Sequence, residues 1–236
     1  MRAPLALAGT ACFALVLALA AAVPGEPRFE ASEAPPPRPA FTAPALNDAG
    51  PADPRVGRGS RAPTPIAPLR VPIAGRGVPS ESELLPEAAR DYRAGIHEGI
   101  DFPADAGTPV LAAGDGQVVR ADREFTDWSD EERTAALAEA VALGRTPERT
   151  LDRIRGRQVW IDHGRGIVTR SSHLETVAAI SVGDRVRGGD IIGSVGSSGY
   201  PEGGPHLHFE IRMGESYLGD GLTPAELARA LREALR

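Results

Sequence analysis

From Leu69 onward the chain sets short apolar runs between glycines. The segments "TPVLAAGDGQVVRA" (108–121), "RQVWIDHG" (157–164), "GIVTRSSHL" (166–174) and "GDIIGSVG" (189–196) are too short and too glycine-bounded for helix and read as strands joined by tight turns. In "GGPHLHFEIR" (203–212) the alternation is explicit. A strand there points His206, His208 and Glu210 to one face and Leu207, Phe209 and Ile211 to the other. One face carries chemistry and the other enters a core. The predicted fold class is mainly β: an antiparallel sheet or sandwich-like domain with an inserted helical hairpin and a C-terminal helix. Two segments, "GTPVLAAGDGQVV" and "GDRVRGGDIIG", share one scheme of glycine, valine, turn and apolar strand, which suggests a duplicated hairpin.

The helical patches carry their own boundaries. Ser129 and Glu132 form a capping box before an alanine-rich run ending at Gly144, and Thr146, Pro147 and Gly156 read as cap, first helical position and stop of a second helix. Residues 122–156 are therefore an expected helical insertion between two strands, burying Leu137, Val141, Leu151 and Ile154. Its expected roles are cover for an open strand edge or a wall of a substrate groove. Near the C-terminus Thr223 and Glu226 repeat the capping box, and Leu227, Leu231 and Leu235 form one apolar stripe.

Composition changes the picture at the other end. Residues 1–22 combine Arg2 with a long uncharged apolar run and small residues near Ala22, which reads as a signal peptide or an N-terminal anchor able to tether the chain to a membrane. Residues 23–68 are proline-rich and poor in large apolar side chains, as in an extended linker; residues 69–236 form the expected folded domain. Cys12, the single cysteine, lies in the first segment, so the folded part has no disulfide or thiolate chemistry. The net charge of -6 gives no basic footprint for nucleic acid. No lysine occurs anywhere, which excludes a lipoyl- or biotinyl-carrier domain despite the similar hairpin texture.

Oxygen and imidazole chemistry remain. In "GIHEGIDFPADAGTPV" two glycines argue for an extended segment, in which His97 and Asp101 share a face and Glu98 points away. The helical zinc motif H-E-x-x-H does not apply, since position 101 is aspartate. With His206 or His208, however, His97 and Asp101 make a three-ligand nitrogen, nitrogen, oxygen set that suits zinc with a fourth position open. His173 ends a strand and can approach the same face; His163, before a turn, reads as a structural hydrogen-bonding residue.

Taken in order, "HEGID", "GTPVLAAGDGQVV", "VWIDHGRGIVTRSSHL", "VGDRVRGGDIIGSVGSSG" and "GPHLHFEIR" resemble the lysostaphin and LytM-type zinc metallopeptidases, which cut peptide cross-links of bacterial peptidoglycan. The resemblance runs from Gly95 to Arg212, about half the chain. It implies one Zn2+ per domain held by His97, Asp101 and His208, with His173 and His206 as unliganded catalytic histidines beside a groove across the sheet. It implies a secreted or cell-envelope peptidoglycan endopeptidase; the alternative is a non-catalytic peptidoglycan-binding or amidase-activating protein on the same fold. Ser171 replaces the family's usual tyrosine two residues before His173, a departure expected to alter groove packing.

Overall fold

The computed structural model describes residues 68–236. The expected signal segment and almost all of the expected linker lie outside them. The strands are β1 (Ala89–Arg90), β2 (Gly95–Ile96), β3 (Ile100–Pro103), β4 (Pro109–Leu111), β5 (Gly116–Ala121), β6 (Val159–Asp162), β7 (Ile167–Ser172), β8 (Leu174–Val177), β9 (Arg185–Val186), β10 (Ile191–Val195), β11 (His206–Met213) and β12 (Ser216–Tyr217). The helices are α1 (Asp130–Leu143), α2 (Glu148–Arg155) and α3 (Pro224–Ala234). The larger sheet runs β12-β11-β7-β6-β5-β9, with β3 also on β11, and a smaller one runs β4-β10-β8; every pairing is antiparallel.

The two similar segments of sequence pair with each other. β4 pairs β10 while β5 pairs β9, so two like hairpins interlock and each supplies one strand to each sheet. Between the sheets lies one core, in which Phe102, Val110, Val118, Ile161, Leu174, Ile192, Leu207 and Phe209 are all buried. α3 closes it with Leu227 and Leu231, buried on the expected stripe, whereas Leu235 lies just past the helix in extended backbone, also buried and bridged to Leu69. The chain changes sheets at His173, between β7 and β8, where the backbone takes φ +59°. A bulky side chain seldom adopts that left-handed conformation, and where it does the surroundings hold it.

Period two holds along β11, with Leu207, Phe209 and Ile211 in the core. The opposite face is not open to water: His208 and Glu210 are also buried, because the segment between β5 and β6 folds over them. β5 has β9 as its other neighbour, so that segment does not cover a free sheet edge. α1 has the expected capping box from Ser129 and Glu132, but it buries Arg133 and Ala140 and leaves Val141 half exposed. Arg133 turns inward because Asp130 and Glu202 receive its guanidinium. Thr146 is not the cap of α2; Pro147 is, and the Thr146 hydroxyl instead donates to the Arg93 carbonyl (2.6 Å). Ser171 pairs with Phe209 in the register of β7 on β11, which puts it on the core face and not in the groove.

The end of α2 meets the 197–199 loop backbone to backbone. A Cβ on Gly156 (φ +65°) would lie 2.2 Å from the Ser198 carbonyl oxygen, and one on Gly199 (φ +80°) 2.3 Å from the Ile154 carbonyl oxygen. Gly144, at φ +64°, faces open space. Gly156→Ala therefore carries both a conformational cost and a clash, on the order of 2–3 kcal/mol, against about 1 kcal/mol for Gly144→Ala. Urea unfolding of the two variants checks this, and equal losses would show that the close approach is not rigid.

Candidate metal centre

His97 lies between β2 and β3, Asp101 on β3, and His208 opposite Asp101 on β11. Their donor atoms form a tight triangle: His97 Nε2 to Asp101 Oδ1 2.9 Å, His97 Nε2 to His208 Nδ1 3.0 Å, and His208 Nδ1 to Asp101 Oδ1 2.9 Å. Among the described residues this is the group of histidine, cysteine and acidic side chains whose geometry suits a metal ion.

The other ring nitrogens decide the chemistry. His97 Nδ1–H donates to the Leu85 carbonyl at 2.8 Å, which leaves Nε2 as a bare lone pair. His208 Nε2–H donates to the Glu210 carboxylate at 3.1 Å, which leaves Nδ1 as the acceptor atom. Two imidazole lone pairs and a carboxylate oxygen thus converge within about 3 Å, an arrangement that repels itself unless a proton or a cation sits among them. A nitrogen, nitrogen, oxygen set whose histidines are fixed from behind by a carbonyl and a carboxylate fits a divalent ion of the zinc type.

The charges agree with this. Burial lowers the His97 imidazole, outweighing the attraction of the Asp101 carboxylate, which can only accept from it. Burial acts the same way on His208, but contacts with Asp101 and Glu210 overcome it and raise that ring. Asp101 resists its own burial and stays well below the usual carboxylate range through hydrogen bonds with His208 and His97. Protons and a cation compete for the same converging lone pairs, so cation binding weakens as pH falls. The second oxygen of Asp101 is held by Arg90 at 3.1 Å, which leaves Oδ1 for the triangle.

His173 and His206 stand beside the trio, their rings 4.6 Å apart, with His173 5.8 Å from His208. His173 Nδ1–H donates to the Ser198 carbonyl and His206 Nδ1–H to that of Gly204, both at 2.9 Å, so each ring keeps Nε2 free for proton transfer. His206 Nε2 is 3.8 Å from Asp101 Oδ1, too far for a hydrogen bond. His163 lies apart from them, bridging the Asp115 carbonyl and Thr169. The five-residue set read from sequence thus gathers in one cleft of about 240 Å3, which Tyr92, Tyr200, Leu151 and Ile154 also line. Tyr92 and Tyr200 stack at 4.9 Å across it.

Glu98 does not point away from this centre. Its carboxylate receives Arg155 (3.0 Å) and Arg212 (2.6 Å), and it lines the cleft. Arg155, at the end of α2, also reaches Glu210. Sequence reasoning gave the insertion the roles of edge cover or groove wall and so missed Arg155; the available signal was Glu210, a carboxylate on the chemical face of β11 that Arg212 meets through only one of its oxygens.

The fold and the centre define a β-sheet peptidase domain of the metal-dependent type, and residues 95–219 match peptidase family M23. The chain belongs to that family. It is 31% identical over 133 residues to the DD-carboxypeptidase/endopeptidase Mpg of Neisseria meningitidis, a match covering 56% of this chain and 23% of that protein. It is 30% identical over 114 residues to the peptidoglycan DD-endopeptidase ShyC of Vibrio cholerae (48% and 19%). With lysostaphin of Staphylococcus staphylolyticus it shares 32% over 123 residues (52% and 20%). The matched region is therefore no more than about a quarter of each relative's length. Against the solved catalytic domain of lysostaphin from Staphylococcus simulans, identity is 27% over 57% of this chain and 80% of that one, with a TM-score of 0.37.

Burial, aided by His206 and His208, pushes the His173 imidazole down from 6.5 to about 3. Between those values the unfolded chain holds a proton on this ring that the folded chain refuses, so acidification through the window destabilises the fold, by up to about 1.4 kcal/mol per pH unit for one proton. His173→Asn retains an amide donor and tolerates the left-handed backbone. Its stability, followed by urea unfolding from pH 7 to pH 3, is expected to fall less steeply than that of the parent. Parallel curves would mean that the folded ring protonates normally.

Proposed function

We propose that this chain is a zinc-dependent endopeptidase that hydrolyses peptide cross-links of bacterial peptidoglycan outside the cytoplasm, exported by residues 1–22 and carried on the 23–68 linker. The observation that carries the reading is the convergence of His97 Nε2, Asp101 Oδ1 and His208 Nδ1 within about 3 Å, with two further imidazoles beside them. Membership of family M23 and relatives named as peptidoglycan endopeptidases support it.

His97, Asp101 and His208 would hold the Zn2+. When bound, such an ion polarises a carbonyl as a Lewis acid and activates water for attack. His173 and His206 present Nε2 toward the same cleft. Burial favours the neutral, proton-accepting form of His173. A base there can take a proton during attack on the scissile carbonyl and return it to the departing amine. The hydrogen bonds to the Ser198 and Gly204 carbonyls fix both tautomers, so neither ring must reorient first. Tyr92, Tyr200, Leu151 and Ile154 line the same cleft and would flank a bound peptide.

Purified cross-linked muropeptides incubated with the zinc-loaded protein are expected to yield uncoupled stem peptides by mass spectrometry. His97→Ala, Asp101→Ala and His208→Ala lose zinc and turnover together. His206→Ala and His173→Asn keep zinc and lose roughly 10²–10⁴-fold in turnover, the usual cost of removing a general acid or base. Zinc loss in His206→Ala, with His208→Ala still loaded, would overturn the division of roles. A loaded protein that binds muropeptides without cutting them would leave the non-catalytic reading.

A further inference from the structure

The carboxylate behind His208 is held by the helical insertion. Glu210 is fully buried, and its carboxylate meets His208 and three arginines, Arg155, Arg170 and Arg212. Its two oxygens have different partners. Oε2 faces Arg212 at 3.3 Å and Arg170 at 3.5 Å, both from the sheet itself. Oε1 accepts His208 Nε2–H and, at 2.6 Å, Arg155 Nε–H. Among the described residues, Arg155 alone places a guanidinium on the oxygen that meets His208.

The arginine is anchored from several directions. Its Nη2 donates to Glu98 at 3.0 Å, its side chain is 3% exposed, and its carbonyl accepts the backbone N–H of His173 at 2.8 Å. Gly156 and Gly199 let the end of α2 lie directly on the loop that fixes the His173 ring. A planar guanidinium bridging two carboxylates holds both in one geometry, which a methylene chain or a single amine cannot do.

We propose that Arg155 is a positioning residue for the metal centre: it holds Glu210 Oε1 against His208, so that Nδ1 of His208 stays aimed at His97 and Asp101. The insertion is then part of the site's construction. This rests on the reading of His97, Asp101 and His208 as metal ligands. Without Arg155, Glu210 turns toward Arg170 and Arg212, and His208 loses the acceptor that sets its tautomer.

Zinc affinity of the full chain, measured by competition with a chromophoric chelator at fixed pH, separates the cases. Arg155→Met is expected to bind zinc roughly 10–100-fold more weakly, as for loss of an outer partner of a ligating histidine. Glu210→Gln should weaken binding comparably, and the double variant no further than Glu210→Gln alone, because one change acts through the other. Arg153→Met, on the same helix but packed over Trp128 and outside the ion cluster, should leave zinc affinity unchanged. Parent affinity in a folded Arg155→Met, or losses that multiply in the double variant, would overturn the proposal. If Arg155→Met does not fold, Arg155→Gln decides the same question in the same way. A His97→Ala protein that binds zinc normally would sink the ligand reading itself, whereas zinc lost in His97→Ala but retained in Arg155→Met would sink only this inference.

Discussion

Each of the four histidines at the centre gives up one ring hydrogen to a fixed acceptor, and the remaining nitrogen is aimed as a result. The acceptors are the carbonyls of Leu85, Ser198 and Gly204 and the carboxylate of Glu210. An imidazole with both nitrogens loose can ionise, flip or tautomerise; one tied from behind offers a single lone pair in a single direction. That constraint explains why irregular segments around residues 85, 198 and 204, outside the sheet strands, must be held as accurately as the strands. They supply the acceptors, and the sheet supplies the rings.

The core faces the other way and makes this accuracy affordable. Leu207 and Phe209 alternate with His206 and His208, so the same strand that displays the chemistry is anchored by buried apolar side chains on its far side. Asp101 and His208 face each other across β3 and β11, where side chains directly opposite come within about 5 Å. His173 sits where the chain leaves one sheet for the other, between Ser172 and Leu174, both fully buried. Its ring therefore has almost no freedom to swing, and substrate must come to it.

Much of this was legible in sequence because the signals were local. Period-two alternation separated the two faces of β11, glycines bounded the strands, and the capping boxes marked α1 and α3. The five candidate site residues were singled out by residue type and order, with the family resemblance choosing His208 over His206 as the expected ligand, and the fold gathers them in one cleft. What could not be read depended on long-range pairing. Arg155 is one of three arginines on a short polar helix, and nothing near it in sequence announces a carboxylate 55 positions away. Glu98 defeated the alternation argument because Gly99 interrupts the strand, packed where a Cβ would strike the Phe209 carbonyl oxygen (2.6 Å). α1 buries an arginine where apolar spacing suggested Leu137 and Val141, because two acidic partners await it.

The insertion leaves and rejoins the sheet at one point: the Asp122 N–H donates to the Gln158 carbonyl at 2.9 Å, closing the ladder between β5 and β6. From the sheet's side, that junction is an ordinary hairpin end, indifferent to the length of chain that departs from it. The polar face can therefore be re-roofed without disturbing a single strand pairing. What such a change must keep is the end of α2, where Arg155 meets Glu210 and accepts the His173 N–H: the roof is free in length and fixed at one corner.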